Sequence, residues 1–167
     1  MQIRMITSSD KMWNSVMVYA ESCSWSAGKY LANDMKNNSF SGWERVIVSL
    51  ENEDICGYCT VAKTDCISDV PYTPYIGYIF VGEPYRGNRI SQQMIEFAKK
   101  YLKSIGFDRV HIVSDHENLY EKYGFTVIDK KIAPWGEEEK IYMQKLSIDK
   151  FQSVEVDKSL FVGENKA

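Results

Sequence analysis

Residues 74–89 read PYIGYIFVGEPYRGNR. The first half, Pro74 to Val81, is rich in aromatic and β-branched residues and predicts a strand. The second half, Gly82 to Arg89, is a polar turn. Beyond it, Ile90, Met94, Ile95, Phe97, Ala98, Tyr101, Leu102 and Ile105 recur at spacings of three and four, which predicts an amphipathic helix stopped at Gly106. The apolar run RVHIVS (Arg109 to Ser114) then completes a strand–helix–strand unit, expected to be parallel and right-handed. A short helix ending in EKYGF (Glu121 to Phe125) follows.

Working outward, Gln2 to Ile6 predicts a first strand. Ser8, Ser9 or Asp10 is a candidate cap for a helix carrying Met12, Trp13, Val16, Met17 and Ala20. A weaker helix is expected from Ala27 to about Asn37. ERVIVSL (Glu44 to Leu50) alternates, with Val46, Val48 and Leu50 on one face, and pairs in an expected hairpin with Ile55 to Lys63. Residues 64–73 form a loop, and TVIDKKI (Thr126 to Ile132) with EKIYMQKL (Glu139 to Leu146) makes a final hairpin. The whole predicts a single α/β domain with a mixed, mostly antiparallel sheet of six or seven strands and helices on both faces. Its expected extent is residues 1–146. The extension 147–167 has no decisive period and is left open between packing on the domain and packing against the partner of a homodimer.

Composition narrows the function classes. A chain of 167 residues with 44% hydrophobic and 26% charged residues suits one globular domain with a substantial core. A net charge of -3 argues against a general nucleic-acid binder, which needs a basic face. No apolar run approaches the roughly 20 residues of a membrane span. The start, MQIRMITSSD, lacks the apolar segment of a signal peptide, so a cytoplasmic location is expected. Cys56 and Cys59 form a C-x-x-C, but strand residues three apart point to opposite faces. No further ligand set accompanies them, so reduced, half-buried thiols and no metal are expected.

The turn carries the chemistry. A glycine-containing turn that opens a helix offers free N–H groups and the positive end of the helix dipole to an anion. Gly87 permits positive φ, and Arg86 and Arg89 add charge suited to phosphates. Neither G-x-G-x-x-G nor G-x-x-x-x-G-K-[ST] is present, and spacing alone leaves a plain solvated turn open.

YIFVGEPYRGNRIS, its helix and the later LYEKYGF together resemble the GNAT superfamily of acyl-CoA-dependent N-acyltransferases. That family's phosphate loop, R/Q-x-x-G-x-G/A, is met here by Arg86, Arg89 and Ser91 at its specified positions, with Gly87 adjacent. Arg89 departs from the pattern, and Ser91 resembles the small last residue. Leu119 to Phe125 match the second motif throughout. The resemblance implies a cleft for acetyl-CoA, the acyl donor, between strands ending near Val81 and Ser114. Backbone groups of Phe80 and Val81 would meet the pantetheine arm. N–H groups of Gly87, Asn88, Arg89, Ile90 and Ser91 would hold pyrophosphate, and Asn118 would contact the cofactor. Tyr120 takes the position of the family's acid, packing of its short helix being the alternative role. The acceptor implied is a primary amine of a small molecule, with a peptide or protein amine second. No carboxylate stands on the strand from Tyr75 to Val81, where some members carry a base. Glu83, Asp115 and His116 lie nearby in sequence, Ser114-x-x-Glu117 matches a capping box, and no base is assigned. Trp25, Tyr30, Trp43, Tyr72, Tyr75 and Trp135, with Asp65, Asp69, Glu137 and Glu138, suit a cationic amine and equally suit ordinary core edges and turns. A non-catalytic acyl-CoA-binding domain is the alternative function. A phosphate binder unrelated to coenzyme A would leave LYEKYGF unexplained.

Overall fold

The computed structural model describes residues 1–147. The extension expected from 147 onward therefore lies, apart from Ser147, outside the described residues. The elements run β1 (Gln2–Ile6), α1 (Trp13–Ser22), α2 (Gly28–Lys36), β2 (Arg45–Glu51), β3 (Asp54–Ala62), β4 (Tyr75–Val81), α3 (Ile90–Ser104), β5 (Arg109–Ser114), β6 (Thr126–Ile132) and β7 (Glu138–Lys145). Single 3-10 turns at Glu83–Tyr85 and Glu121–Tyr123 punctuate them, the second standing where a short helix was expected. One seven-stranded sheet has the order β1-β2-β3-β4-β5-β7-β6, and only β4 and β5 are parallel. No helix among the described residues is long and apolar enough to cross a membrane.

Alternation along β2 explains why both faces are covered. Val46, Val48 and Leu50 join a buried cluster with Trp13, Val16 and Ala20 of α1 and Leu31, Ala32 and Met35 of α2. Ile47, between them, joins the opposite cluster with Ile90, Met94, Ile95, Ala98 and Leu102 of α3. Ahead of α1, Asp10 accepts the Met12 N–H at 2.8 Å and holds Arg4 at 2.8 Å, so of the three candidate caps Asp10 organises this entry. Each large apolar side chain that α3 buries stabilises the fold by about 1.5–3 kcal/mol. Ile105, read as part of that face, is 42% exposed because the helix has ended.

Two bulges change what the sequence predicts. Ser49 pairs with Gly57 but Leu50 with Ile55, which leaves Cys56 as an extra residue in β3. The extra residue resets the alternation, so Cys56 and Cys59 do not point to opposite faces. Both are free thiols, fully buried in the cluster beneath α3 rather than half-buried. Burial raises both thiol pKa values, so these are inert packing groups. The second bulge lies in β4. Tyr58 pairs with Phe80 and Thr60 with Gly77, so three steps along β4 match two along β3. Tyr78, inside that bulge, has φ 47°, and its hydroxyl donates to Asp34 Oδ2 of α2 at 2.9 Å.

Leu102 and Ile105 separate these contributions. Leu102→Ala removes a fully buried side chain and is expected to cost about 2–5 kcal/mol in urea denaturation. Ile105→Ala is expected to stay within about 0.5 kcal/mol. Equal losses would contradict the assigned burial.

Candidate functional site: the opening between the central strands

β4 and β5 pair in register only at Tyr75 and His111. The His111 N–H donates to Pro74 O at 2.9 Å just below that point. Above it the bulge at Tyr78 carries β4 away, and the two strands part. Gly82 N–H donates to Cys56 O at 2.8 Å, so the ladder's alternation turns Phe80's backbone groups toward β3 and Val81's toward the opening. Arg86 Nε donates to Val81 O at 3.0 Å, which agrees with that direction. Of the two residues expected to offer backbone groups, Val81 faces the opening and Phe80 faces β3. The Phe80 side chain stacks on Trp25 with centroids 6.1 Å apart.

The turn after β4 opens α3 as the sequence predicts. Gly87 has φ 84° and Arg89 has φ 58° with ψ 28° at the helix N-cap. Arg89 thus takes the left-handed conformation that glycine adopts freely, at a cost of about 1–2 kcal/mol. Its side chain is exposed and, among the described residues, has no hydrogen-bond or ion-pair partner. Arg86 instead folds back, its guanidinium 5.7 Å over the Phe80 ring and 3.7 Å from Glu83. Glu83 also accepts a hydrogen bond from Ser24, which with Arg86 lowers its pKa. Asn88 Nδ2 donates to Tyr85 O at 3.0 Å and closes the turn. Ile90 is buried in the cluster beneath α3.

The second motif meets the first directly. Ser91 Oγ and Tyr123 Oη are 3.2 Å apart, tying the first turn of α3 to LYEKYGF. Tyr120 is 5% exposed and ringed by Tyr123, Phe125 and Tyr142. It lies near Ser114 at the end of β5, the far wall of the opening. Burial raises its pKa above the ordinary phenol value, and the Ser114 hydroxyl only partly opposes this. The expected capping box is not formed. Ser114 Oγ instead accepts the His116 N–H at 3.0 Å, and Asn118, exposed, has φ 62°, so the chain turns here rather than entering a helix.

The face opposite α3 holds the remaining polar groups. His111 is buried between the rings of Tyr72 and Tyr75 and donates Nδ1–H to Pro74 O at 3.0 Å. A carbonyl only accepts, so the proton sits on Nδ1 and Nε2 is left as an acceptor. Burial lowers its pKa and keeps it neutral at pH 7. Tyr72 donates to Asp129 Oδ2 at 2.8 Å. Asp115, Glu137 and Glu139 bring oxygens within 4.8 Å of one another; burial and the other two carboxylates raise the pKa of Glu139. Trp43 is not on this side. It packs at 4.9 Å against Phe107 under α3. Asp65, named in the sequence only as one acid among several, lies against β4 at Gly77. A separate shallow depression of about 730 Å³ lies beside Tyr19, Ser24 and Tyr85, on the β3 side of the turn.

Residues 12–125 match the family described as Acetyltransferase (GNAT) family, and the chain belongs to that family. No curated protein matches it in sequence. Among solved structures it is similar to an aminoglycoside 6'-N-acetyltransferase complexed with coenzyme A, with TM-score 0.67 and 12% identity over 89% of this chain and 98% of that one. The aminoglycoside 6'-N-acetyltransferase from Enterococcus faecium gives 0.68 and 12% over 89% and 98%. A GNAT family acetyltransferase from Elizabethkingia anophelis with acetyl-CoA bound gives 0.63 and 16% over 87% and 97%. At these identities the likeness is one of fold.

His111 gives this site a pH signature. Its folded pKa is lowered, so the unfolded chain protonates first, near pH 6.5, and stability falls as pH drops through that value. Urea midpoints of wild type and His111→Asn between pH 7.5 and 5.5 check this, the variant being expected to lose that part of the slope. Parallel slopes would contradict a buried neutral imidazole.

Proposed function

We propose that this protein transfers the acetyl group of acetyl-CoA to a primary amine by direct attack. The observation that carries the proposal is the opening above Tyr75 and His111, with a helix-opening turn at one end and a buried phenol on its far wall. The Val81 N–H would receive the pantetheine arm. The N–H groups of Gly87 to Ser91 would hold the pyrophosphate, with Arg89 adding charge and Asn118 a polar contact near Tyr120. Arg86, also expected to meet phosphate, here lies against Val81 O and Glu83 at the strand end.

In the reaction the amine nitrogen bonds to the thioester carbon and the carbon–sulfur bond breaks. The acetyl group ends on nitrogen and coenzyme A leaves as thiolate. Tyr120 is suited to meet that thiolate. Its raised pKa keeps the phenol protonated throughout the neutral range, so it acts as a donor and not as a base. The exposed acids and aromatics opposite α3 favour a cationic small-molecule acceptor, with a peptide or protein amine second.

Coenzyme A release is to be measured with acetyl-CoA against spermidine, kanamycin and an alanine-initiated peptide. Wild type is expected to turn over at least one, and Tyr120→Phe to lose about 100-fold in kcat with KM for acetyl-CoA little changed. Undiminished turnover in the variant would remove Tyr120 as the acid. Tight acetyl-CoA binding without turnover on any amine would favour a non-catalytic binding domain.

Arg89→Gly relieves the left-handed strain but removes a charge. The variant is expected to keep its thermal midpoint within a few degrees and to weaken coenzyme A binding about tenfold at low salt, with less loss at high salt. Unaltered affinity would mean that only the backbone of the turn matters.

A further inference from the structure

The acetyl transfer proposed above needs a group to take the acceptor's proton, and β4 supplies no acid. One carboxylate nevertheless reaches this strand. A Cβ built on Gly77 would stand 2.8 Å from Asp65 Oδ2 and 3.3 Å from Thr60 Oγ1. Gly77 is therefore bare because the Asp65 carboxylate, delivered by the loop after β3, lies where a side chain of β4 would start. The place is two residues beyond the last β4–β5 pair and directly before the Tyr78 bulge.

Three features set this carboxylate apart from the surface acids. Asp65 Oδ1 accepts the Cys66 N–H at 2.6 Å, and no Lys, Arg or His among the described residues pairs with either oxygen. Loss of solvation raises its pKa, the Cys66 bonds only partly compensating. The neighbouring Tyr75 hydroxyl, on a residue 1% exposed, is buried without a hydrogen-bond partner, and Asp65 leads the charges acting on it. A shielded anion beside an unsatisfied hydroxyl costs stability unless a cationic donor completes the site. The titratable groups facing Asp65 are Cys66 on its own loop, Tyr75 and Tyr78 on β4, and Glu139 on β7, and none is a cation.

We propose that Asp65 is the base of this reaction: its Oδ2 takes one proton from the acceptor's ammonium, giving the neutral amine that attacks the thioester carbon. The proton passes from the carboxyl to solvent as product leaves. This inference rests on the acetyl-transfer reading. It also separates the two proton-handling groups by face. Gly77 and Thr60 lie on the α1–α2 face of the sheet, whereas Tyr120 and Ser114 lie on the α3 face. The amine would approach from one side and the thiolate depart on the other.

The test is the pH dependence of kcat/KM for wild type, Asp65→Asn and His111→Gln, with acetyl-CoA and whichever of the three amines wild type uses best. Asparagine retains the Oδ1 that accepts the Cys66 N–H, so the turn is preserved. Asp65→Asn is expected to lose about 100-fold or more in kcat/KM, with acetyl-CoA affinity within twofold of wild type. Its residual activity should rise only as the free amine deprotonates, without the carboxylate limb. Its thermal midpoint should exceed that of wild type at pH 7, with the gap closing as pH falls. The sign follows because the raised folded pKa makes the charged form destabilising, and protonation removes that penalty. Wild-type rates and an unchanged acid limb in Asp65→Asn would overturn the inference. So would loss of that limb in His111→Gln alone, which would move the role to Nε2 of His111. If wild type itself turns over none of the amines, the acetyl-transfer reading fails and takes this inference with it.

Discussion

Backbone pairing between β4 and β5 is satisfied at a single register position, Tyr75 with His111, and much of the site follows from that constraint. Parallel strands that part leave N–H and C=O groups without ladder partners, and such groups must be solvated or given to a ligand. The parting is imposed by the extra residue in β4 near Tyr78, whose left-handed backbone would relax if nothing held it. The hydrogen bond from Tyr78 to Asp34 of α2 and the packing of Phe80 among Tyr19, Trp25 and Tyr58 hold it. The helices of one face thus keep the strands open for the turn and helix of the other.

The opening has a different chemistry on each side. On the α3 face, buried and half-buried groups carry hydroxyls: Ser114 beside Tyr120, and Ser91 with Tyr123. Neutral donors there suit a thiolate and phosphates. On the other face, Asp65, Asp129 and the trio Asp115, Glu137 and Glu139 gather beside aromatic rings, which suits a cation. The division is consistent with a sheet through whose gap two substrates meet from opposite sides.

Much of this was legible in the sequence. The bounds of β1, β5 and β6 are as predicted, and those of the other strands differ by a residue, because alternation and turn residues mark them directly. The motif pair read the turn and Tyr120 into one neighbourhood, and the contact between Ser91 and Tyr123 joins them. The bulges were not legible. A single inserted residue leaves composition and periodicity almost untouched, yet it put Cys56 and Cys59 on one face and aimed Val81, not Phe80, into the opening. Ser114-x-x-Glu117 misled because a capping box needs helical residues after it, and Asn118 turns left-handed. Asp65 was visible only as a loop acid. The available signal was Gly77, a glycine within an aromatic strand, which marks a close approach by another group.

Coenzyme A is proposed to bind in the opening above Tyr75 and His111, together with the turn into α3. Amide chemical shifts recorded by NMR during titration with acetyl-CoA test it most directly. The largest changes are expected at Val81, at Gly87 through Ser91, and at Ser114 and Asn118. Changes confined to the depression by Tyr19 and Ser24, with Val81 and the turn residues unmoved, would contradict it.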